Sequence, residues 1–290
     1  MNRDMMGRNA VVTGVSRRQG IGYAIVRQLL DCGASVFVTH FEPHDREQPW
    51  GSDPIGSEAV LDKLRQHLNG SSQTLNGMEI DLAEPDAPAA VFKRARKALG
   101  PVHMLVCNQA QSGYDGPLLS MTRENLDRHF AVNARSSIEL SREFVAQFPD
   151  AGDEGNGDRG VADAGSGRAG SGQRQDPTGR IVFMSSGQQL GPMPKEVAYA
   201  AAKGALVGII PTLAHELAPH GITVNAVNPG PVDTGYVTDE LREATAGLFP
   251  FGRWGAPDDA ARLVVWLCSD DGRWITGQVI HSEGGFRRPG

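Results

Sequence analysis

The chain is poor in the features that mark several common roles. Only three of its 290 residues are cysteine, Cys32, Cys107 and Cys268, and they stand far apart in apolar surroundings. No pair has the spacing of a redox motif or a metal knuckle, which leaves buried structural thiols. The eight histidines are not expected to assemble a metal centre. Positive charge is not in excess: 28 Lys and Arg face 34 Asp and Glu, for a net charge of -6. That balance excludes the basic stripe a nucleic-acid surface requires. No apolar run is expected to cross a bilayer, and the stretch MNRDMMGRNA lacks the apolar core of a signal peptide. The expectation is a cytoplasmic protein with no membrane or nucleic-acid partner.

What is present is an ordinary globular composition, 40% hydrophobic and 21% charged, long enough for one large domain over 1–290. Apolar runs rich in Val and Ile predict strands at 9–14, 34–40, 74–80, 102–107, 180–185, 222–228 and 277–281. Between them, 20–32, 57–69, 86–99, 122–148, 196–218 and 257–268 have helical spacing. Strand and helix in alternation imply an α/β, doubly wound parallel sheet with helices on both faces and ligands at the carboxyl ends of the strands. Two stretches break the alternation. Residues 149–178, rich in Gly, Asp, Ala and Ser, have almost nothing to bury and predict a disordered insertion. Residues 40–56 are polar, punctuated by Pro43, Pro49 and Pro54, and carry Trp50 near where the far end of a dinucleotide would lie.

The stretch TGVSRRQGIG, residues 13–22, joins the first strand to the first helix. In that context Gly14, Gly20 and Gly22 serve a tight turn, close approach of backbone to a pyrophosphate, and packing of helix on strand. The helix N-terminus then faces the anion. An acid at the end of the second strand commonly binds the ribose of NAD, but here His40 occupies that place and the nearest carboxylate is Glu42. Arg17 and Arg18 lie in the loop itself, where a guanidinium suits a 2′-phosphate. NADP(H) is therefore favoured, with NAD(H), its ribose met by Glu42, as the alternative.

Tyr199 and Lys203 stand four apart on a predicted helix and hence on one face, and Ser186 ends the strand before them. A phenol titrates near 10 and a neighbouring ammonium lowers that value, so Lys203 is expected to activate Tyr199. Ser186 would hold a substrate oxygen and Tyr199 would protonate it.

These features together resemble a classical short-chain dehydrogenase/reductase, similar in pattern to the 3-oxoacyl-carrier-protein reductases. The resemblance rests on TGVSRRQGIG, IDL at 80–82, LVCNQA at 105–110, FAVNARSS at 130–137, Ser186, the Tyr199 and Lys203 pair, NAVNPGPVDT at 225–234 and ITGQVIHSEGGF at 275–286. It implies a Rossmann-type sheet of about seven strands in the order 3-2-1-4-5-6-7, assembled as a homotetramer or homodimer, acting on a small carbonyl or alcohol. It adds Asn133 to Ser186, Tyr199 and Lys203, as the asparagine that holds a water in the proton relay. For the cofactor it implies Gly14, Ser16, Arg17, Arg18, Gly20, Ile21 and Gly22 in the loop and His40 after the second strand. Asp81 would contact adenine with Leu82 beside it, Asn108 would lie by the ribose, and Lys203 would bind the nicotinamide ribose. Pro229, Gly230, Val232 and Thr234 would surround the carboxamide and pyrophosphate. No metal is implied.

Two departures stand out. The glycine loop is two residues longer than usual, and LVCNQA alters the family's Asn-Asn-Ala-Gly run, so that Gln109 is expected to crowd the cofactor ribose or add a polar contact to it. The substrate pocket is expected from 111–114, 188–194 and 236–251, without a basic cluster, and the closing FRRPG is expected to be a solvated tail. Together these suggest a neutral, moderately hydrophobic ketone as substrate. A cofactor-binding regulatory or scaffold protein, docking through the 149–178 insertion, is the reading from another functional class.

Overall fold

In a computed structural model, which describes residues 4–148 and 178–288, a seven-stranded parallel sheet runs through the chain. Its strands are β1 (Asn9–Val12), β2 (Ser35–His40), β3 (Leu75–Glu79), β4 (Met104–Cys107), β5 (Gly179–Met184), β6 (Ile222–Asn228) and β7 (Val279–His281). Their order is β3-β2-β1-β4-β5-β6-β7, the doubly wound arrangement. The central strands are buried on both faces and read as unbroken apolar runs, as parallel strands under helices must. Of the predicted insertion 149–178, residues 149–177 lie outside the described residues.

Two apolar layers hold helices against the sheet. On one face α1 (Ile21–Asp31) buries Ile25, Val26, Leu29 and Leu30 against α9 (Pro257–Cys268), whose Ala261, Val264 and Val265 answer them. α3 (Ser57–Arg65) completes that side through Leu61 and Leu64. On the other face α4 (Ala87–Leu99), α6 (Ser136–Val145) and α7 (Val197–Leu217) bury Phe92, Phe144 and Ile210. The strand order reverses between β1 and β4, which opens a crevice at their carboxyl ends.

Three local features depart from the sequence expectation. The polar stretch after β2 folds a short helix, α2 (Glu42–Glu47), with Pro43 in its first turn, where proline is tolerated. The expected single helix 122–148 is α5 (Arg123–His129) and α6 joined by a π-helical turn, Phe130–Arg135, and a further helix α8 (Asp239–Thr245) follows β6. Finally, the segment Val197–His220 is long and apolar enough to cross a membrane by length and composition, contrary to the expectation that no run would be. Here it is the core helix on which Leu206, Ile210 and Ala214 pack beneath the sheet and Lys203 is buried.

Candidate active site

The crevice is a cavity of about 890 Å³ that runs from Asp81 and Leu82 at one end to Ser186 and Tyr199 at the other. Its floor is the loop after β1. Gly14 has a φ of +72°, and a Cβ there would come within 2.8 Å of the Gln109 Cα; at Gly22 a Cβ would meet the Gly14 carbonyl oxygen at 2.6 Å. Both positions therefore require glycine. Asn108 holds the loop by donating its amide to the carbonyls of Thr13 (3.0 Å) and Gly14 (2.9 Å). Gly20 begins α1 without a side-chain cap, so the helix amides beside Ser16, Gly20 and Ile21 are free to face an anion in the cavity.

The two arginines part company. Arg18 is locked onto Asp53 by its backbone amide (2.9 Å) and by Nε and Nη2 (2.9–3.1 Å), and it does not line the cavity. The expected contact of Arg18 with a 2′-phosphate is thus corrected: a carboxylate 35 residues away captures the guanidinium. Arg17 does line the cavity, donates to the Thr234 carbonyl, and lies 5.7 Å over the Trp50 ring. Glu42, the expected ribose acid, is turned to Arg46 (2.8 Å) and Ser57 (3.2 Å), away from the cavity. Of the acids in α2, the one that lines the cavity is Asp45. Asp45 is 8% exposed, and its Oδ2 has no hydrogen-bond partner. Burial raises its pKa, while the Ser16 hydroxyl and the charges of His44 and Arg17 oppose the shift. His40 also borders the cavity, with burial lowering its pKa and keeping it neutral.

Trp50 spans the cleft. Its ring lies 6.1 Å from Tyr236, which continues through Trp254 (6.0 Å) and Phe249 (4.9 Å) to Phe286 (5.0 Å). At the Asp81 end of the cavity both Asp81 oxygens are engaged, one by the Ala83 amide (2.9 Å) and one by Arg128 (2.8 Å).

Ser186, Tyr199 and Lys203 meet at the opposite end. The Lys203 Nζ donates to the Met184 carbonyl at 2.8 Å and lies 5.8 Å from the Tyr199 ring centroid. Burial pushes Lys203 down to about 8 and Tyr199 up to about 12, the latter aided by Glu196 and opposed by the Ser186 hydroxyl. The expected lowering of the phenol by Lys203 is not found, because burial dominates and raises Tyr199 instead. Asp115 fixes the helix start, accepting from the amides of Ala198 (3.1 Å) and Tyr199 (2.8 Å).

Asn133 is not brought into the cavity with the other three. It is fully buried in the π-helical turn, where its amide accepts from the Gln111 backbone N–H (2.7 Å) and donates to the Gln111 carbonyl (3.1 Å). The Gln109 side chain turns inward, bonding Val132, Ser136, Ser137 and the Thr13 hydroxyl, while the residue still lines the cavity. Pro229, Gly230, Val232 and Thr234 all line the cavity. Of the expected pocket stretches, all of 111–114 and, from the other two, Pro192, Met193 and Tyr236 line it, and so do Lys195 and Arg288. Of the expected solvated tail, the described residues 286–288 are tied down, with Arg287 still exposed: Phe286 stacks on Phe249, the Arg287 amide donates to the Leu248 carbonyl (2.9 Å), and Arg288 pairs with Glu283.

His40 and His44 stand four apart, but His40 ends a strand, and no group of three His, Cys, Asp or Glu among the described residues is placed to hold a metal. Burial pushes the Cys107 and Cys268 thiols up to about 12, which makes them inert core residues. A dinucleotide fits what is present. Glycines admit close backbone approach, a helix terminus is free, an unpartnered carboxylate oxygen faces inward, and the volume suits a cofactor cleft. Sequence reasoning missed Asp45, Asp115 and Arg288; only the Pro43 helix start signalled the first.

Comparison with known proteins agrees with this geometry. The family model described as enoyl-(acyl carrier protein) reductase matches residues 14–154 and 168–287. The chain is 40% identical over 279 residues to the uncharacterized oxidoreductase YjdA of Bacillus subtilis (strain 168), covering 96% of each. It is 32% identical over 286 residues to a short-chain type dehydrogenase/reductase of Picea abies, covering 96% of this chain and 92% of that one. Among solved structures, a blue fluorescent protein from a metagenomic library, in complex with NADPH, superposes with a TM-score of 0.77 at 28% identity, covering 98% of this chain and 100% of the other. The chain belongs to the short-chain dehydrogenase/reductase family of oxidoreductases.

Proposed function

We propose that the protein reduces a ketone to a secondary alcohol, or runs the reverse reaction, with NADP(H), and that 3-oxoacyl compounds are among its candidate substrates. The observation that carries this is the convergence of Ser186, Tyr199 and Lys203 at one end of the cavity with Tyr199 held as a neutral phenol. A neutral phenol is the form that donates a proton to a carbonyl oxygen in the reductive direction. When bound, the dinucleotide supplies the hydride. Ser186 holds the carbonyl oxygen, Tyr199 gives it the proton, and Lys203, shifted toward neutrality by burial, stands close enough to stabilise the phenolate left behind. Asn133 acts as a positioning residue through the Gln111 backbone.

The residues that would hold the dinucleotide are Gly14, Ser16, Arg17, Gly20, Ile21 and His40, then Asp81, Leu82 and Asn108, with Lys203, Pro229, Gly230, Val232 and Thr234 at the nicotinamide end. Gly22 contributes by packing behind the loop. NADP(H) is supported by Arg17 at the cavity wall and by the NADPH-bound structural neighbour. A second reading, NAD(H), is favoured by Asp45, whose unpartnered oxygen suits a ribose hydroxyl. Assembly as a homotetramer or homodimer and a cytoplasmic location belong to the same proposal.

The test is oxidation of NADPH and of NADH by the purified protein across ketones, aldehydes and β-ketoacyl thioesters, with Tyr199→Phe beside it. Turnover that needs Tyr199 supports the proposal; a fully active Tyr199→Phe enzyme overturns it. Asp45→Asn separates the cofactors: weakened NADH binding with NADPH binding kept or improved assigns Asp45 to the ribose.

A further inference from the structure

Arg288 occupies a built position beside the reacting group. After β7 the chain turns back along the cavity, and the Glu283 carboxylate accepts from the Asn228 amide at 2.7 Å and from both terminal nitrogens of Arg288, Nη1 at 2.8 Å. The Glu283 side chain is 8% exposed and that of Arg288 18%. Two glycines make room for the arginine. A Cβ at Gly191 would lie 2.6 Å from the Arg288 Cδ, and one at Gly187, the neighbour of Ser186, would strike the guanidinium. Arg288 also lies 5.5 Å over the Phe286 ring, and all three tail residues line the cavity.

A guanidinium carries five N–H donors. Glu283 takes two of them, and the other three have no acceptor among the described residues. The pair as a whole is neutral, so it offers little to attract an anion, yet it presents donors and acceptors side by side. A hydroxyl, which both donates and accepts, matches this arrangement, and the Phe286 face suits the adjoining carbons.

We propose that Arg288 is a specificity-determining residue that recognises an uncharged oxygen function, a hydroxyl or second carbonyl, close to the carbonyl being reduced. This rests on the assignment of Ser186 and Tyr199 to the reacting carbonyl. The preferred substrates are hydroxyketones, hydroxyaldehydes and diketones over plain ketones and over keto acids.

The experiment compares butanone, 3-hydroxybutan-2-one and pyruvate by kcat/KM, and by calorimetric binding of each to the protein saturated with NADP+. The wild type should favour 3-hydroxybutan-2-one over butanone ten- to hundredfold, as one hydrogen bond to a charged group implies. Arg288→Leu should bring that ratio near one, through KM, and Arg288→Lys should restore part of it. Gly191→Ala, which displaces the guanidinium without removing it, should lower the ratio as well. An unchanged ratio in Arg288→Leu, equal use of both ketones by the wild type, or a preference for pyruvate overturns the proposal. Absence of turnover with an Arg288-dependent binding preference would overturn the catalytic reading and keep only Arg288 as the residue that recognises the ligand's oxygen; absence of a binding preference overturns this one alone.

Discussion

Gln109 replaces a small residue of the family pattern, and the structure gives a sign and a size for removing it. Its amide donates to the Ser136 and Ser137 hydroxyls at 2.9 and 2.8 Å and approaches the Val132 carbonyl at 3.2 Å, while its carbonyl receives the Thr13 hydroxyl. An NH2 group has two protons, so about three bonds are made in a site that is 6% exposed. Gln109→Leu keeps the bulk and removes them. Ser136 and Ser137 retain bonds to the carbonyls of Val132 and Asn133 (2.7 and 3.0 Å), and the Thr13 hydroxyl retains the Val106 carbonyl at 3.3 Å. At about 1 kcal/mol per lost bond the variant should lose roughly 2–3 kcal/mol, read as a fall in Tm of about 4–12 °C and a lower urea midpoint at unchanged m. Dinucleotide affinity should weaken or hold, never improve. A variant as stable as the parent that binds the dinucleotide more tightly would refute the inward placement and restore the crowding that the sequence suggested.

Other expectations follow from the same geometry. Lys203 sits near 8 when folded against 10.5 when unfolded, so the unfolded chain holds the extra proton between these values and stability should rise with pH from about 8. The Cys107 and Cys268 thiols, at about 12 folded against 9, oppose this rise above pH 9, and Tyr199, at about 12 against 10, does so above pH 10; urea titrations should show the wild type gaining about 2 kcal/mol relative to Lys203→Met between pH 8 and 10. Arg17→Leu should weaken NADPH binding about tenfold more than NADH binding, whereas Arg18→Leu, whose partner is Asp53, should leave the NADPH-to-NADH ratio alone; calorimetry of both variants checks this. Trp50→Ala removes the ring that joins Arg17 to Tyr236 and should raise the dinucleotide Kd about 3–30-fold.

The sheet, the glycine loop and the Ser186, Tyr199 and Lys203 set were legible because each is written in local pattern: apolar runs for strands, glycine spacing for a turn, four-residue spacing for a helix face. What could not be read was the destination of polar side chains whose partners are distant in sequence. Arg18 is decided by Asp53, Gln109 by Ser136 and Ser137, and the tail by glycines near residue 190. Asp45 escaped notice because a polar stretch with three prolines gives no periodic signal, yet six of its residues form the helix that turns that carboxylate inward. Asn133 sits in a π-helical turn, and the extra residue such a turn carries is invisible to a periodicity that fits one continuous helix.

The most direct test of the central claim follows the hydride and the proton separately. NADPH deuterated at the transferring position of the nicotinamide is mixed with 3-hydroxybutan-2-one and with butanone, and the alcohol is analysed for label with the wild type and with Tyr199→Phe. The account predicts one deuterium on the carbinol carbon of the product formed by the wild type, and at least a hundredfold less labelled alcohol from Tyr199→Phe with NADPH binding retained. Labelled alcohol formed at the wild-type rate without the Tyr199 hydroxyl would contradict it.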